Sequence, residues 1–378
     1  MTSPYHLEPP ADRVSNLELF FDLVFVFTIT QLTTKLAADL TWLGFGRVTL
    51  LLFMIWWMYS GYAWVTNSVR VHSMPRRVLL MTAMTAFLVL ALALPGSYAD
   101  TGLYFGLAYF VINAVHSGLL FLGGGRNVAR TMAWIGPLNL ASATLVLVGG
   151  WLHLPWLWVA AAALQFCTPY LHPVSGFDVR AGHFAERHSL VLIIALGESV
   201  VAIGVGAASN EHLTWATVGA AALALTLAYH LWWAYFAGDE NRAEHALEAI
   251  ADPARRSRLA LNAFGYAYLP MLLGIVAMSA GVKKALAHPT DHAHLDAALV
   301  LAGGVALFLV GEALFRGVLR IGLPVWRLVG AAAAMATVPI GTALNPLAQL
   351  LALIVVFVAV FVTEEVARRG RTAQPASH

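Results

Sequence analysis

Long apolar runs separated by short polar breaks make up most of the chain. Each run is close to the roughly 20 residues that a helix needs to cross the hydrocarbon core of a bilayer. Proline and glycine mark the breaks, for example at Pro75, Pro173 and Pro324. The pattern therefore predicts an all-α integral membrane protein with about 12 transmembrane helices, at residues 17–40, 42–66, 77–95, 101–123, 129–150, 155–172, 189–207, 214–237, 259–282, 295–315, 325–343 and 346–363.

The composition agrees with a membrane protein. The chain is 60% hydrophobic and 11% charged, whereas soluble domains are about 45–50% apolar and about 25% charged. A net charge of +2 without a basic, aromatic-rich cluster predicts no nucleic-acid partner. The single Cys167 excludes an intrachain disulfide and a multi-cysteine metal site. No phosphate-binding loop is present, and we expect no cofactor.

Positive charge is distributed unequally between the two predicted sides. With both termini on one side, that side receives all but four of the 22 Lys and Arg residues, namely Lys35, Arg47, Lys283 and Lys284. The positive-inside rule then predicts cytoplasmic termini in a bacterial cytoplasmic membrane. The longest connection, residues 238–258, also lies on this side, and its mixed charges predict a solvated amphipathic connector.

The two halves of the chain resemble each other. Trp56-Trp-Met-Tyr59 corresponds to Trp232-Trp-Ala-Tyr235, and Arg76-Arg77 corresponds to Arg255-Arg256. An even number of spans per half predicts two parallel six-helix repeats, related by a pseudo-twofold axis along the membrane normal. We therefore divide the chain into an N-terminal cytoplasmic segment (1–16, with no signal peptide), a first repeat (17–175), a second repeat (176–364) and a cytoplasmic tail (365–378).

Glu198 is the first candidate for function. It lies near the middle of the seventh span, after about ten apolar residues. Ionisable groups at this depth are costly, so this carboxylate needs a partner, a proton or an ion. The structural alternative is a neutral acid that is hydrogen-bonded to a neighbouring helix.

His183, Glu186, Arg187 and His188 lie where the same helix begins. At 100° per residue, Arg187 and Glu198 lie on one stripe, about 16 Å apart in depth. This arrangement predicts a cytoplasmic vestibule that leads to an intramembrane acid. The order His-x-x-Glu-x-His also allows a metal site, but it lacks the i, i+4 histidines of the helical zinc motif, and we assign no metal.

Glu18 and Asp22 are one turn apart where the first helix begins. Acidic residues there favour the helix dipole. An alternative reading pairs them with Arg187 of the other half. Four further polar residues in the spans, more typical of interhelical hydrogen bonds than of ligands, are secondary candidates: Asn113, His116, His230 and Glu312, the last with Arg316 four residues later as an expected intrahelical partner.

The motifs around Glu18 and Glu198 resemble the bacterial low-temperature-requirement A (LtrA) family. They are Glu18-Leu-Phe-Phe-Asp-Leu-Val-Phe-Val-Phe-Thr-Ile-Thr-Gln-Leu32 and His183-Phe-Ala-Glu-Arg-His-Ser-Leu-Val-Leu-Ile-Ile-Ala-Leu-Gly-Glu-Ser199. The resemblance extends over nearly the whole chain. His188 stands where the family leads us to expect an aromatic residue such as Phe. The resemblance implies the fold and location but no established chemistry.

The opening of the chain also resembles the six-helix-repeat lysosomal potassium channel family. That resemblance implies that the first helix of each repeat lines a pathway, with Phe25, Ile29 and Thr33 facing it from the first helix. The chain differs from that family in having Phe21 in place of Ser, Asn16 in place of Arg and, in the second repeat, Leu190 in place of Asp.

Three functional hypotheses follow. The first is permeation of a cation or proton, or proton-coupled transport, along helices one and seven, with Glu198 as the intramembrane site. The second is an enzyme acting on a lipid or isoprenoid substrate through His183, Glu186 and His188. The third is a non-catalytic membrane protein of cold stress, whose buried charges are all internally paired. Membrane lipid is the expected partner in each case, and the sequence leaves the oligomeric state open.

Overall fold

Helices are the only regular secondary structure in the described part of the chain. The computed structural model describes residue 14 and residues 16–69, 73–171, 176–209 and 212–372, with side chains as far as Arg369. The helices are α1 (Asn16–Ala38), α2 (Trp42–Ser68), α3 (Met74–Ala93), α4 (Gly102–Gly123), α5 (Gly125–Trp151), α6 (Pro155–Leu171), α7 (Ala181–Ala208), α8 (Trp215–Phe236), α9 (Asp239–Glu248), α10 (Pro253–Ala260), α11 (Tyr268–Ala287), α12 (Leu295–Leu319), α13 (Val325–Met335), α14 (Val338–Ala343) and α15 (Pro346–Thr372), with a π-helix (Leu261–Ala267) before α11.

The predicted polytopic membrane fold is confirmed. Within the described residues, eleven helical segments are long and apolar enough to cross a bilayer. The sixth predicted span is shorter, because α6 has 17 residues, which rise only about 25 Å at about 1.5 Å per residue. The span predicted at 325–343 is divided into α13 and α14. Pro339 in the first turn of α14 cannot donate to the helical hydrogen-bond ladder, which accounts for the division.

The predicted connector at 238–258 is mostly helical. It forms α9 and α10, and the helical path continues through the π-helix into α11. The expectation of a solvated connector is wrong for Asp239, which is fully buried. Arg242 and Arg316 both bind its carboxylate, so this segment is fixed to the bundle by charge as well as by packing. The tail predicted from residue 365 instead continues α15 as far as Thr372.

The helix neighbours correspond in the two halves. In the first half, α1 contacts α2 and α3. Then α3 contacts α4, α4 contacts α5, and α5 contacts α6. In the second half, α7 contacts α8 and α11. Then α11 contacts α12, α12 contacts α13, and α13 contacts α15. This order agrees with the predicted repeat, whose pseudo-twofold axis stays a prediction. The halves meet where α1 and α2 contact α7 and α11.

Glycines allow α11 and α12 to pack closely. A Cβ added at Gly304 would lie 2.3 Å from the backbone nitrogen of Met278, and one added at Gly274 would lie 2.5 Å from that of Phe308. In the first half, a Cβ added at Gly150 of α5 would lie 2.1 Å from the carbonyl oxygen of Gly102. Lipid supplies no hydrophobic force between helices, so such close backbone packing is a main source of their association.

Candidate functional site

Two buried acid–base pairs join α1 to α7, one helical turn apart. The Glu18 Oε1 atom lies 3.1 Å from Nε2 of His183. One turn deeper, Nη1 of Arg187 donates to Oδ2 of Asp22 at 2.9 Å and to the carbonyl oxygen of Glu18 at 2.8 Å. All four side chains are at most 7% exposed. The predicted pairing of Asp22 with Arg187 is therefore confirmed. Both ion pairs lie at the interface between the halves.

Aromatic side chains enclose the deeper pair. The Tyr59 hydroxyl on α2 donates to Oδ1 of Asp22. The Arg187 guanidinium lies over the rings of Phe21 and Tyr59, 5.8 and 5.5 Å from their centres. A cation over an aromatic face is attracted by the ring quadrupole. The Tyr59 hydroxyl and the two aromatic faces therefore replace water around the pair, which lowers the free-energy cost of burying its charges.

Glu186 and His188 have different surroundings from this pair. Glu186 is half-buried and accepts a hydrogen bond from the backbone nitrogen of Val14 at 3.3 Å. His188 is buried, and its Nδ1 donates to the carbonyl oxygen of Phe184 at 2.8 Å while Nε2 lies 3.4 Å from the Ser60 hydroxyl. Its ring packs against four aromatic rings, those of Trp56, Phe184, Phe264 and Tyr268. The position therefore suits the aromatic residue that the sequence led us to expect.

Glu198 lies deeper in the same interface. It is 2% exposed, and the hydroxyl of Thr30 on α1 donates to its Oε2 at 2.5 Å. The charge of Lys283 acts on it from α11 without forming an ion pair. The other acidic residues buried in the described part of the chain all have an ion pair with Arg or His, namely Glu18, Asp22, Asp239 and Glu312. Among the described residues, Glu198 is thus the one buried carboxylate that lacks an ion pair.

Apolar residues separate Glu198 from the level of Arg187. Every α7 residue from Leu190 to Gly197 is apolar. On the facing helix, Phe25 and Ile29 lie between the two levels and Thr33 lies beyond Glu198. All three are at most 2% exposed, and Phe25 packs against the ring of Tyr59 at 4.4 Å. The pathway-facing role that the channel resemblance implies for these three residues does not correspond to an open passage here. In this conformation the interface is closed between the two levels.

A cavity of about 510 Å³ opens at the opposite end of the bundle, between α1, α11, α12 and α15. It reaches Ala37 and Ala38 on α1 and Gly281 on α11. Ala37 follows Thr30 by seven residues, or about 10 Å along a helix. Thr33 and Leu36, both buried, occupy that interval. The cavity therefore approaches Glu198 from one side of the membrane and ends before reaching it.

The secondary candidates do not gather around Glu198. Asn113 donates to the Tyr109 carbonyl within α4, and His116 lines a separate cavity of about 90 Å³ in the first half. His230 is half-buried and stacks on Phe361, 6.1 Å between ring centres. Asn113 also has an interhelical hydrogen bond, because its Oδ1 accepts from Nε2 of Gln165 on α6 at 3.4 Å.

The expected pair between Glu312 and Arg316 is wrong. Glu312 Oε2 lies 3.3 Å from Nε of Arg327 on α13. Arg316 instead turns to Asp239 at 2.5 Å and to Glu364 at 2.9 Å. The i, i+4 spacing allowed the intrahelical pair, but Arg316 binds carboxylates of two other helices, those of Asp239 on α9 and Glu364 on α15.

The residues proposed for an enzyme site do not converge. His183 binds Glu18, Glu186 accepts from Val14, and His188 faces its aromatic neighbours. No group of three or more His, Cys, Asp or Glu side chains arranged to hold a metal ion occurs among the described residues. These three side chains therefore have separate sets of neighbours in this conformation.

Sequence reasoning missed two features of the second half. One is the buried ion cluster of Asp239, Glu312, Arg316, Arg327 and Glu364. The presence of Arg327 inside a predicted span was the one indication of this cluster in the sequence. The other is the π-helix, in which the carbonyl oxygen of Gly265 accepts from the Trp56 indole at 2.8 Å. Such π-turns are frequent at functional sites. No local pattern in the sequence predicts the π-helix at Leu261–Ala267.

Comparison with known proteins agrees with this description. The family model described as "Bacterial low temperature requirement A protein (LtrA)" matches residues 13–362. An uncharacterized protein of Rhizobium meliloti (strain 1021) is 32% identical over 319 residues, which cover 79% of this chain and 76% of the relative. The chain therefore belongs to the bacterial low temperature requirement A family of membrane proteins.

Proposed function

We propose that the protein carries a cation or a proton across the membrane along the interface of α1 and α7, with Glu198 as the intramembrane binding group. The observation that carries this proposal is the burial of Glu198 without an ion pair. It is 2% exposed and hydrogen-bonded to Thr30, and no ion pair neutralises it within the described residues. A carboxylate at this depth is stable only with a proton, a cation or another compensating partner.

Exchange of that partner is the basis of the proposed mechanism. A carboxylate that is not neutralised by an ion pair can bind a proton or cation and release it when the surrounding helices move. Glu198 lies on one half of the chain and its partner Thr30 on the other. A small movement between the halves therefore changes the environment of the carboxylate directly, as in transporters whose repeats move around a central site.

The closed surroundings of Glu198 support an occluded state. The cavity of about 510 Å³ stops at the level of Ala37 on one side. On the other side the Asp22–Arg187 pair and its aromatic neighbours close the interface. Arg187, His183, Glu18 and Asp22 form the gate on that side, with Glu186 and His188 beside it, and the gate opens when its ion pairs separate.

The proposal includes the orientation of the chain. The unequal distribution of Lys and Arg supports cytoplasmic termini, with the Asp22–Arg187 pair near the cytoplasmic side. The proposed location is the bacterial cytoplasmic membrane.

Glu198→Gln tests the proposal. The purified protein is reconstituted in liposomes, and the fluxes of protons, K⁺ and Na⁺ are measured separately. We expect flux of one of these ions through the parent protein and its loss in Glu198→Gln, because glutamine keeps the shape of the side chain but cannot bind a proton or supply a negative charge.

Glu248→Gln is the matched control, because Glu248 is an exposed acid on α9. It is expected to leave the flux unchanged. Equal flux through the parent and Glu198→Gln would contradict the proposed role of Glu198. Absence of all three fluxes in folded parent protein would contradict permeation of these ions.

A further inference from the structure

A second cavity, of about 830 Å³, lies at the arginine-rich end of the second half. It is distinct from the α1–α7 interface, and α8, α9, α12, α13 and α15 supply its walls. Five arginines and two glutamates line it: Arg242, Arg316, Arg327, Arg368, Arg369, Glu364 and Glu365. Its lining therefore carries an excess of positive charge, which favours an anionic ligand.

The acids around the cavity are already bound to arginines. Glu364 lies 2.9 Å from Nη1 of Arg316 and 3.1 Å from Nε of Arg327. Glu365 lies 2.8 Å from Arg368 and 2.6 Å from Arg369. Asp239 and Glu312 lie behind the cavity lining and bind Arg316 and Arg327. Among the described residues, these four acids and the five arginines of the lining leave an excess of one positive charge.

Arg327 has hydrogen-bonding capacity left at the cavity. It is 2% exposed, and its Nη1 atom has no hydrogen-bond partner in the described part of the chain. A buried guanidinium N–H without an acceptor is costly. Arg327 also lies in the first turn of α13, whose N-terminus has no side-chain cap. Backbone N–H groups and the helix dipole favour an anion at such a position.

The rim of the cavity is apolar and exposed. Trp233 on α8 is 45% exposed, Leu323 is 38% exposed, and Val362 and Val366 on α15 are 55% and 64% exposed. These residues belong to or border helices that cross the bilayer. An anion held by the arginines would therefore have apolar surface beside it on which a hydrocarbon chain could lie.

We propose that this cavity binds the phosphate headgroup of an anionic phospholipid, whose acyl chains lie along the apolar rim. Phosphate accepts several charge-assisted hydrogen bonds from guanidinium groups. Basic pockets between transmembrane helices bind anionic headgroups in this manner. A free phosphate would use the arginines but not the rim, and a neutral-headgroup lipid would use the rim but not the excess charge.

Native mass spectrometry of the purified chain in detergent tests this site. The probes are phosphatidylglycerol, phosphatidylcholine and inorganic phosphate, each titrated separately. We expect tight binding of one phosphatidylglycerol, weaker binding of phosphatidylcholine, and no displacement of the bound lipid by equimolar phosphate. Equal binding of the two lipids, or displacement by equimolar phosphate, would overturn the proposal.

Arg242→Gln tests the site while Asp239 stays paired with Arg316. The Arg242 side chain is 48% exposed, and its partner Asp239 keeps Arg316. Loss of one charge-assisted contact should weaken phosphatidylglycerol binding about tenfold. Arg368→Gln, with a 72% exposed side chain at the same cavity, should act in the same direction.

The matched control is Arg126→Gln, an exposed arginine of α5 in the first half that does not line the cavity. It is expected to bind phosphatidylglycerol as the parent does. Unchanged binding in both Arg242→Gln and Arg368→Gln, or an equal loss in Arg126→Gln, would show that the lipid binds elsewhere and would overturn the proposal.

Discussion

Arg187→Gln is expected to lower the free energy of unfolding by about 3–5 kcal/mol, the usual cost of removing one partner of a buried ion pair. The loss is large because Asp22 would remain 1% exposed with only the Tyr59 hydroxyl as a partner. The carbonyl oxygen of Glu18 would also lose its donor. Thermal unfolding of the purified protein in detergent, followed by tryptophan fluorescence, measures the effect.

Two further variants identify its cause. Arg187→Gln combined with Asp22→Asn removes both charges, so it is expected to unfold at a higher temperature than Arg187→Gln alone. Arg126→Gln, the exposed arginine of α5, should unfold as the parent does. If Arg187→Gln unfolds at the parent's temperature, the ion pair does not contribute to stability.

Gly304→Ala is expected to destabilise the second half by at least about 3 kcal/mol, at the upper end of the usual cost of overpacking. The added methyl group would lie 2.3 Å from the backbone nitrogen of Met278 and 2.7 Å from the carbonyl oxygen of Gly274. Backbone atoms cannot move aside as a flexible side chain can, so α12 must separate from α11. The same unfolding measurement in detergent, together with the yield of monodisperse protein, reports the loss.

Gly317→Ala is the matched control on the same helix. A Cβ at Gly317 meets nothing within 4 Å, and alanine favours a helix over glycine by about 1 kcal/mol. The control should therefore be neutral or slightly stabilising. Similar unfolding of Gly304→Ala and the parent would mean that α11 and α12 are not packed as closely as described.

The sequence predicted the candidate site unevenly. Glu198 stood out because one carboxylate in an apolar run is visible locally, and the structure buries it as expected. The pairing of Asp22 with Arg187 was one of two readings that the sequence allowed, the other being stabilisation of the helix dipole, and the structure shows the pair. The partner of Glu312 was predicted wrongly, since the sequence offered only the neighbour four residues away and not Arg327 on another helix.

The sequence by itself determined that this is a polytopic membrane protein and that Glu198 and Glu312 are ionisable groups inside apolar runs, because the cost of a polar group in lipid is a local property of each run. Only the tertiary structure decided which charges neutralise one another. Ion pairs such as Asp239–Arg316 and Glu18–His183 join residues 77 and 165 positions apart. Their formation depends on the rotation of each helix about its axis, which close packing against its neighbours fixes. The same packing left Glu198 without an ion pair, a property that no apolar run in the sequence could show.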